Sequence, residues 1–373
     1  MTSSGTRFDL IVAACCALFL HQDSPPPMGD LASRERAIEE EFTRSYQKNR
    51  DAVAVRVPEF QDRMLKLASE KIDHAASRDA LIWVVAHGQF SAEAPLAMKR
   101  AAQAADLLVQ HHIEHSELSW ACIWIHYITD PPEKSVDLLR AIRMKSPHDV
   151  VRAEATFALA EVLSTRGNAT LDRSSREGLY KEAEGYLEEV RNKYSDLRLR
   201  ERADRYGERA DRLLYEIRNL SAGRRAPQLE GGTLDGKTLR LSDYRGRVVL
   251  LVFNKTGCPG CVALYPFERA ISKRLIDRPF AIIGVHAGEE KHLASTRTSL
   301  AEHRAEWPVV WSAGMPGKSV IESRWNIHSY PTLYLIDADG VIRLKSYGSP
   351  GEKILETAVD ALVKEAEARP KTP

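Results

Sequence analysis

From about Ala32 to Leu220 apolar residues recur at helical spacing. Val151, Ala155, Ala158, Leu159, Val162 and Leu163 lie on one stripe of a 3.6-residue period, which predicts an amphipathic helix. Arg166 and Gly167 read as its stop, a cation in the last turn followed by a residue that accepts positive φ. After a loop from Gly167 to Gly178, Tyr180, Ala183, Tyr186, Leu187, Val190 and Tyr194 repeat the period and predict the next helix. Upstream, APLAMKRAAQAADLL, LSWACIWIHYI and EKSVDLLRAI predict further helices, interrupted at Pro131-Pro132. The pattern changes beyond Ser221 to Pro227 (SAGRRAP), whose Gly, Ser, Pro and charge mark a linker. Asp235-Gly236 then signals a two-residue hairpin turn. Val248 to Phe253 is a continuous apolar run, as expected of a central strand covered on both faces. After Cys258-Pro259-Gly260-Cys261 a helical pattern runs to Arg274, and strand and helix alternate from there to the final EKILETAVDALVKEA. The fold class expected is therefore multidomain. An all-α domain over 28–220 and a linker over 221–227 precede a three-layer α/β domain over 228–373.

The run Leu10 to Leu20 (LIVAACCALFL) is too short to span a bilayer, which needs about 20 apolar residues. With Arg7 ahead of it, it fits the apolar region of a secretory signal, so 1–27 reads as a leader. Export to the periplasm or cell envelope follows, with membrane association through the N-terminus only. Val12-Ala13-Ala14-Cys15 looks like a lipoprotein box, which adds lipid anchoring as an alternative. The 53 Lys+Arg balance 52 Asp+Glu, so no charge-driven partner is indicated and no nucleic acid is expected. The Arg-dense stretch Arg198 to Arg218, with Glu and Asp interleaved at helical spacing, reads as a salt-bridged solvated face.

Five cysteines, at 15, 16, 122, 258 and 261, are too few for a disulfide scaffold, so each is read by its position. Cys122, inside the apolar run Trp120 to Ile125, reads as a buried small hydrophobe. His111 and His115 stand at i and i+4, a spacing some zinc sites use. With Glu114 and His112 between them but no third ligand evident, the segment reads as a solvated helix end, and no metal is expected. Cys258 and Cys261 are different. At a junction of buried strand and helix start, the positive end of the helix dipole and free N–H groups favour a thiolate at Cys258. That lowers its pKa from about 8.5 toward roughly 3.5 to 7.5. Cys261, one turn on, is close enough to attack a mixed disulfide and release the partner. Half a zinc knuckle is the bland alternative, and it needs a second ligand pair that the sequence does not supply. No phosphate-binding Gly loop, flavin or nicotinamide fingerprint is present. A dithiol needs no cofactor.

Three features together resemble the thioredoxin superfamily, specifically its TlpA-like branch of extracytoplasmic thiol-disulfide oxidoreductases. They are TLDGKTLRLSDYRGRVVLLVF, the strand-CxxC-helix with Pro266 after it, and RWNIHSYPTLYLIDADGVI. The resemblance covers Ala226 to Pro373, while ATFALAEVL with YKEAEGYLEEVRNKY resembles a degenerate tetratricopeptide-type hairpin. It implies a cis proline facing the dithiol at Pro331, with Tyr330 and Pro331 lining a groove where an extended substrate segment bonds to the backbone. The stretch between Cys258 and Pro331 is longer than a minimal thioredoxin needs, as in the TlpA-like and peroxiredoxin-like branches. The sequence also departs from the pattern. The usual Trp before the first cysteine is Gly257, the buried carboxylate six residues before it is Val252, and the Glu three residues past the second is Leu264. Taken together, the sequence predicts a thiol-disulfide oxidoreductase, reducing rather than oxidising. Its partners are a protein disulfide substrate and a redox protein that donates electrons, with the helical domain for recognition. The competing readings are a peroxiredoxin-type peroxidase and a binding protein whose redox domain is vestigial. Against the peroxidase, Lys255 and Cys258, not Thr, stand three residues before the two cysteines.

Overall fold

The structure, a computed structural model, describes residues 30–369 apart from 129, 130, 132, 171, 200–203, 315, 316 and 318. The leader expected over 1–27 lies outside the described residues. Among the described residues no helix is long and apolar enough to cross a membrane. They fall into two compact units, one of 30–167 and 174–214 and one of 168–173 and 215–369.

The first unit is helical: α1 (Leu31–Lys48), α2 (Arg50–Glu70), α3 (Ala75–His87), α4 (Ala94–His111), α5 (Leu118–Ile125), α6 (Lys134–Lys145), α7 (Asp149–Ala169), α8 (Arg173–Tyr194) and most of α9 (Tyr206–Asn219). Helix α3 is buried along nearly its whole length, and Trp83 and His87 stack there with Phe42 edge-on to both. Three expectations are corrected. Gly167 is not a helix stop, because α7 continues to Ala169 and α8 begins at Arg173. A Cβ on Gly167 would stand 2.4 Å from Cε1 of Tyr180, so glycine there permits close helix approach. The Arg-rich face is not wholly solvated. Arg209 is buried and forks onto the buried Glu154 with bonds of 2.6 and 3.0 Å, and the Tyr206 hydroxyl donates to the same carboxylate at 2.7 Å. Nor is HHIEH a solvated end throughout, since His112 is buried at the C-cap of α4 while His111 and His115 are exposed. Among the described residues no group of His, Cys, Asp or Glu is arranged to hold a metal. Cys122 is free and buried, and burial pushes its thiol well above the usual range, so it behaves as a hydrophobe.

The second unit has the expected α/β alternation. A small ribbon of β1 (Glu230–Gly232) and β2 (Thr238–Arg240) closes through 233–237, longer than the two-residue turn expected at Asp235-Gly236: Gly236 N donates to Thr233 O at 3.0 Å, so Leu234 and Asp235 are the central pair of the turn. The main sheet runs β5 (Val309–Ala313), β4 (Phe280–Gly288), β3 (Val248–Lys255), β6 (Thr332–Ile336), β7 (Ile342–Tyr347). Strands β3, β4 and β5 are parallel, whereas β6 and β7 run antiparallel. The period of two along β3 makes three layers. Val248, Leu250 and Val252 enter one core with α11 (Tyr265–Arg274), α12 (Leu293–Glu302) and α14 (Glu352–Glu367). Val249, Leu251 and Phe253 enter the other, with Trp325 after α13 (Val320–Arg324). The helix expected through Arg274 is divided. A short α10 (Pro259–Val262) precedes α11, and Pro266 occupies the first turn of α11, where a missing N–H costs nothing. The stretch 221–227, expected as a linker, is bonded to the hairpin that carries β7. Gly223 N donates to Ile342 O at 2.7 Å, and Ala226 N to Gly340 O at 2.9 Å.

Candidate active site

Strand β3 ends where α10 begins, and Cys258 stands between them as the N-cap of α10. It is disulfide-bonded to Cys261, with the two Cα atoms 5.3 Å apart. The Cys261 amide donates to the Cys258 sulfur at 3.2 Å, the N-cap contact that also favours a thiolate there. Both sulfur-bearing residues are nearly covered, whereas Gly257 and Pro259 beside them are exposed. Gly257 has φ +71, a left-handed conformation that a Trp at this position would adopt only at a cost. That accounts for one departure from the pattern.

The Tyr330-Pro331 bond is cis. Register places Thr332 opposite Phe253, so Tyr330 and Pro331 continue toward the end of β3 from which the dithiol emerges. Pro331 is buried and its carbonyl accepts from Gly348 N at 2.8 Å. Tyr330 is half-buried, with the Lys255 ammonium 5.7 Å from its ring centroid, and its hydroxyl donates to the buried Glu322. Burial, then the Glu322 contact, push that hydroxyl well above the usual phenol range, so it stays a donor.

Residues 222–345 match the model of the AhpC/TSA family. The chain is 29% identical over 142 residues to thioredoxin-like protein YneN of Bacillus subtilis, covering 38% of this chain and 80% of that protein. It is 26% identical over 137 residues to the thiol-disulfide oxidoreductase ResA of Bacillus cereus, covering 37% of this chain and 76% of that one. The C-terminal unit is similar to the AhpC/TSA family and to thioredoxin-like proteins. Its chemistry is that of an oxidoreductase, as in the relatives just named. Among solved structures, the thioredoxin domain of a thiol-disulfide oxidoreductase from Bacteroides vulgatus matches over 39% of this chain and 99% of its own, at 24% identity and a TM-score of 0.35.

Beside its dithiol, this thioredoxin-like unit buries polar groups that the sequence alone did not single out. Asn254 and His286 are cross-strand neighbours on β3 and β4, and Asn254 Oδ1 and His286 Nε2 lack a partner among the described residues. His286 stacks on Trp311, and burial pushes its imidazole down to about 4, so it is neutral near pH 7. Glu268 on α11 is buried with neither carboxylate oxygen bonded, and burial pushes it up to about 8. Alternation along β3 would have placed Asn254 on the face of Val252. For Glu268 the signal was positional: it falls between Leu264 and Ile271 on the apolar stripe of its helix, where a carboxylate does not belong.

Proposed function

We propose that the chain is a protein disulfide reductase of the TlpA-like kind that works outside the cytoplasm. The Cys258 thiolate attacks a disulfide of the substrate protein, and Cys261 resolves the mixed disulfide. The observation that carries this reading is the Cys258–Cys261 disulfide at a helix N-cap behind the central strand. Tyr330 and Pro331 hold the extended substrate segment beside the sulfurs, and a separate redox protein returns the dithiol to its reduced form. The helical unit recognises the partner, and the leader over 1–27 directs export. No cofactor, metal or nucleic acid enters the cycle.

Reduction of a protein disulfide by the pre-reduced chain tests the reading. Wild type should turn over, and Cys258→Ser should lose essentially all of that rate, whereas equal rates would end the proposal. Cys261→Ser should retain substrates as mixed disulfides and thereby name them. A second reading, a peroxidase of the peroxiredoxin type, draws on the AhpC/TSA match. Fast consumption of hydrogen peroxide dependent on Cys258 would favour it over the first.

A further inference from the structure

Resolution of a mixed disulfide requires the Cys261 thiol to lose its proton, and Cys261 is almost entirely covered. Solvent is therefore a poor acceptor on that side. Carboxylates are missing at Val252 and Leu264, and both positions are apolar and packed in one core with Phe267 and Ile271. One carboxyl group is nevertheless buried in that layer. Across the break between α10 and α11, Leu264 N bonds to Cys261 O and Glu268 N bonds to Leu264 O, so a chain of backbone bonds links the resolving cysteine to the start of α11. Side chains on α11 lean back toward its N-terminus, the end nearer Cys261 in the chain, so the Glu268 carboxyl lies on the dithiol side of its own Cα. Asn254 lies two residues nearer the dithiol than Val252, and it and its neighbour His286 present unsatisfied polar atoms suited to holding a bridging water.

We infer that Glu268 is the internal proton acceptor for Cys261, reached through water held at Asn254 and His286. The step deepens the reductase reading and rests on it. In the mixed disulfide the Glu268 carboxylate takes the Cys261 proton, and the Cys261 thiolate attacks Cys258 Sγ. The new Cys258–Cys261 bond forms as the bond from Cys258 to the substrate sulfur breaks. The substrate leaves as a thiolate that takes a proton from solvent, and two electrons pass from the dithiol to the substrate. The titratable groups facing Glu268 are few. Tyr265 lies on its own helix and interacts with Glu268, while α14 presents Leu355 and Val359 to the same core. Arg274, further along α11, is engaged by Glu356 and Asp360. Burial pushes the Glu268 carboxyl up to about 8, into the working range.

The test follows the reduced full chain with dithiobis-nitrobenzoate in rapid mixing. The first thionitrobenzoate released reports attack by Cys258 and the second reports resolution by Cys261. Glu268→Gln should leave the first release unchanged and slow the second about 100-fold near neutral pH. In wild type the second rate should rise through the titration of Glu268. In the Gln variant that rise should be absent. Glu268→Leu, which refills the core with an apolar side chain, should slow the second release equally, and Glu268→Asp should recover part of it. Identical second-phase pH profiles for wild type and Glu268→Gln, or slowing in Gln without slowing in Leu, would overturn the inference and leave the dithiol reading intact. Release from Cys258→Ser at the wild-type rate would instead overturn the dithiol reading.

Discussion

Glu154 in the helical unit and Glu268 in the second unit are both buried carboxylates, and the two are treated in opposite ways. Glu154, in the helical unit, is 0% exposed and meets the Arg209 fork and the Tyr206 hydroxyl, with the guanidinium stacked 4.0 Å from the centroid of Phe157. Glu268, in the thioredoxin-like unit, is 1% exposed and meets nothing. The difference is not one of fold class. The second unit also contains a fully engaged carboxylate, Glu216, bound to Lys345 at 2.8 Å, Tyr347 at 2.8 Å and Asn326 at 3.0 Å. A buried charge with every acceptor used holds helices in register, and its loss leaves a costly orphan. A buried carboxyl left unsatisfied costs stability and stays free to exchange a proton, which is the property expected beneath a dithiol.

The comparison breaks most easily at Arg209. Arg209→Ala strands the Glu154 carboxylate and should cost about 3 to 5 kcal/mol, read as a lower denaturation midpoint, with the chemistry of the Cys258 pair unchanged. A loss below about 1 kcal/mol would show that water replaces the guanidinium and that the pair is not structural.

Glu268→Leu should act in the opposite direction and gain roughly 1 to 3 kcal/mol at mildly alkaline pH, because an unsatisfied buried group is removed. The sign of its pH dependence follows from burial. The folded carboxyl is raised to about 8 from 4.5, so the unfolded chain ionises first as pH rises. Wild type therefore loses stability between these values, and the advantage of the Leu variant should grow over the same window and level off above it. A pH-independent difference between the two melts would contradict the assignment. The smallest effect is expected at Gly257, where a Cβ meets no atom within 4 Å and only the left-handed φ is penalised. Gly257→Ala should cost about 1 kcal/mol, and a neutral melt would mean that the loop before Cys258 relaxes freely.

The layers of the second unit were legible because strand period and turn chemistry are local. Val248 to Phe253 had to be a central strand, and the chain had to turn around Asp235-Gly236. The dithiol and Tyr330-Pro331 were legible as motifs, each a short run of neighbours. What failed in the reading was long-range. Gly167 looks like a stop until Tyr180 of the next helix is seen against it. Arg209 looks like one of many solvated arginines until Glu154, distant in sequence, is found at its fork.

The sequence by itself determined the two-part organisation, the α/β alternation and the cysteine pair, since periodicity, turn residues and motif spacing act through adjacent residues. Only the tertiary structure decided which buried charges are answered and which are not. Whether a carboxylate finds a partner depends on what a remote segment brings to it. Glu154 and Glu268 are the same residue type on amphipathic helices, and Arg209 against the one and an apolar layer against the other separates their roles.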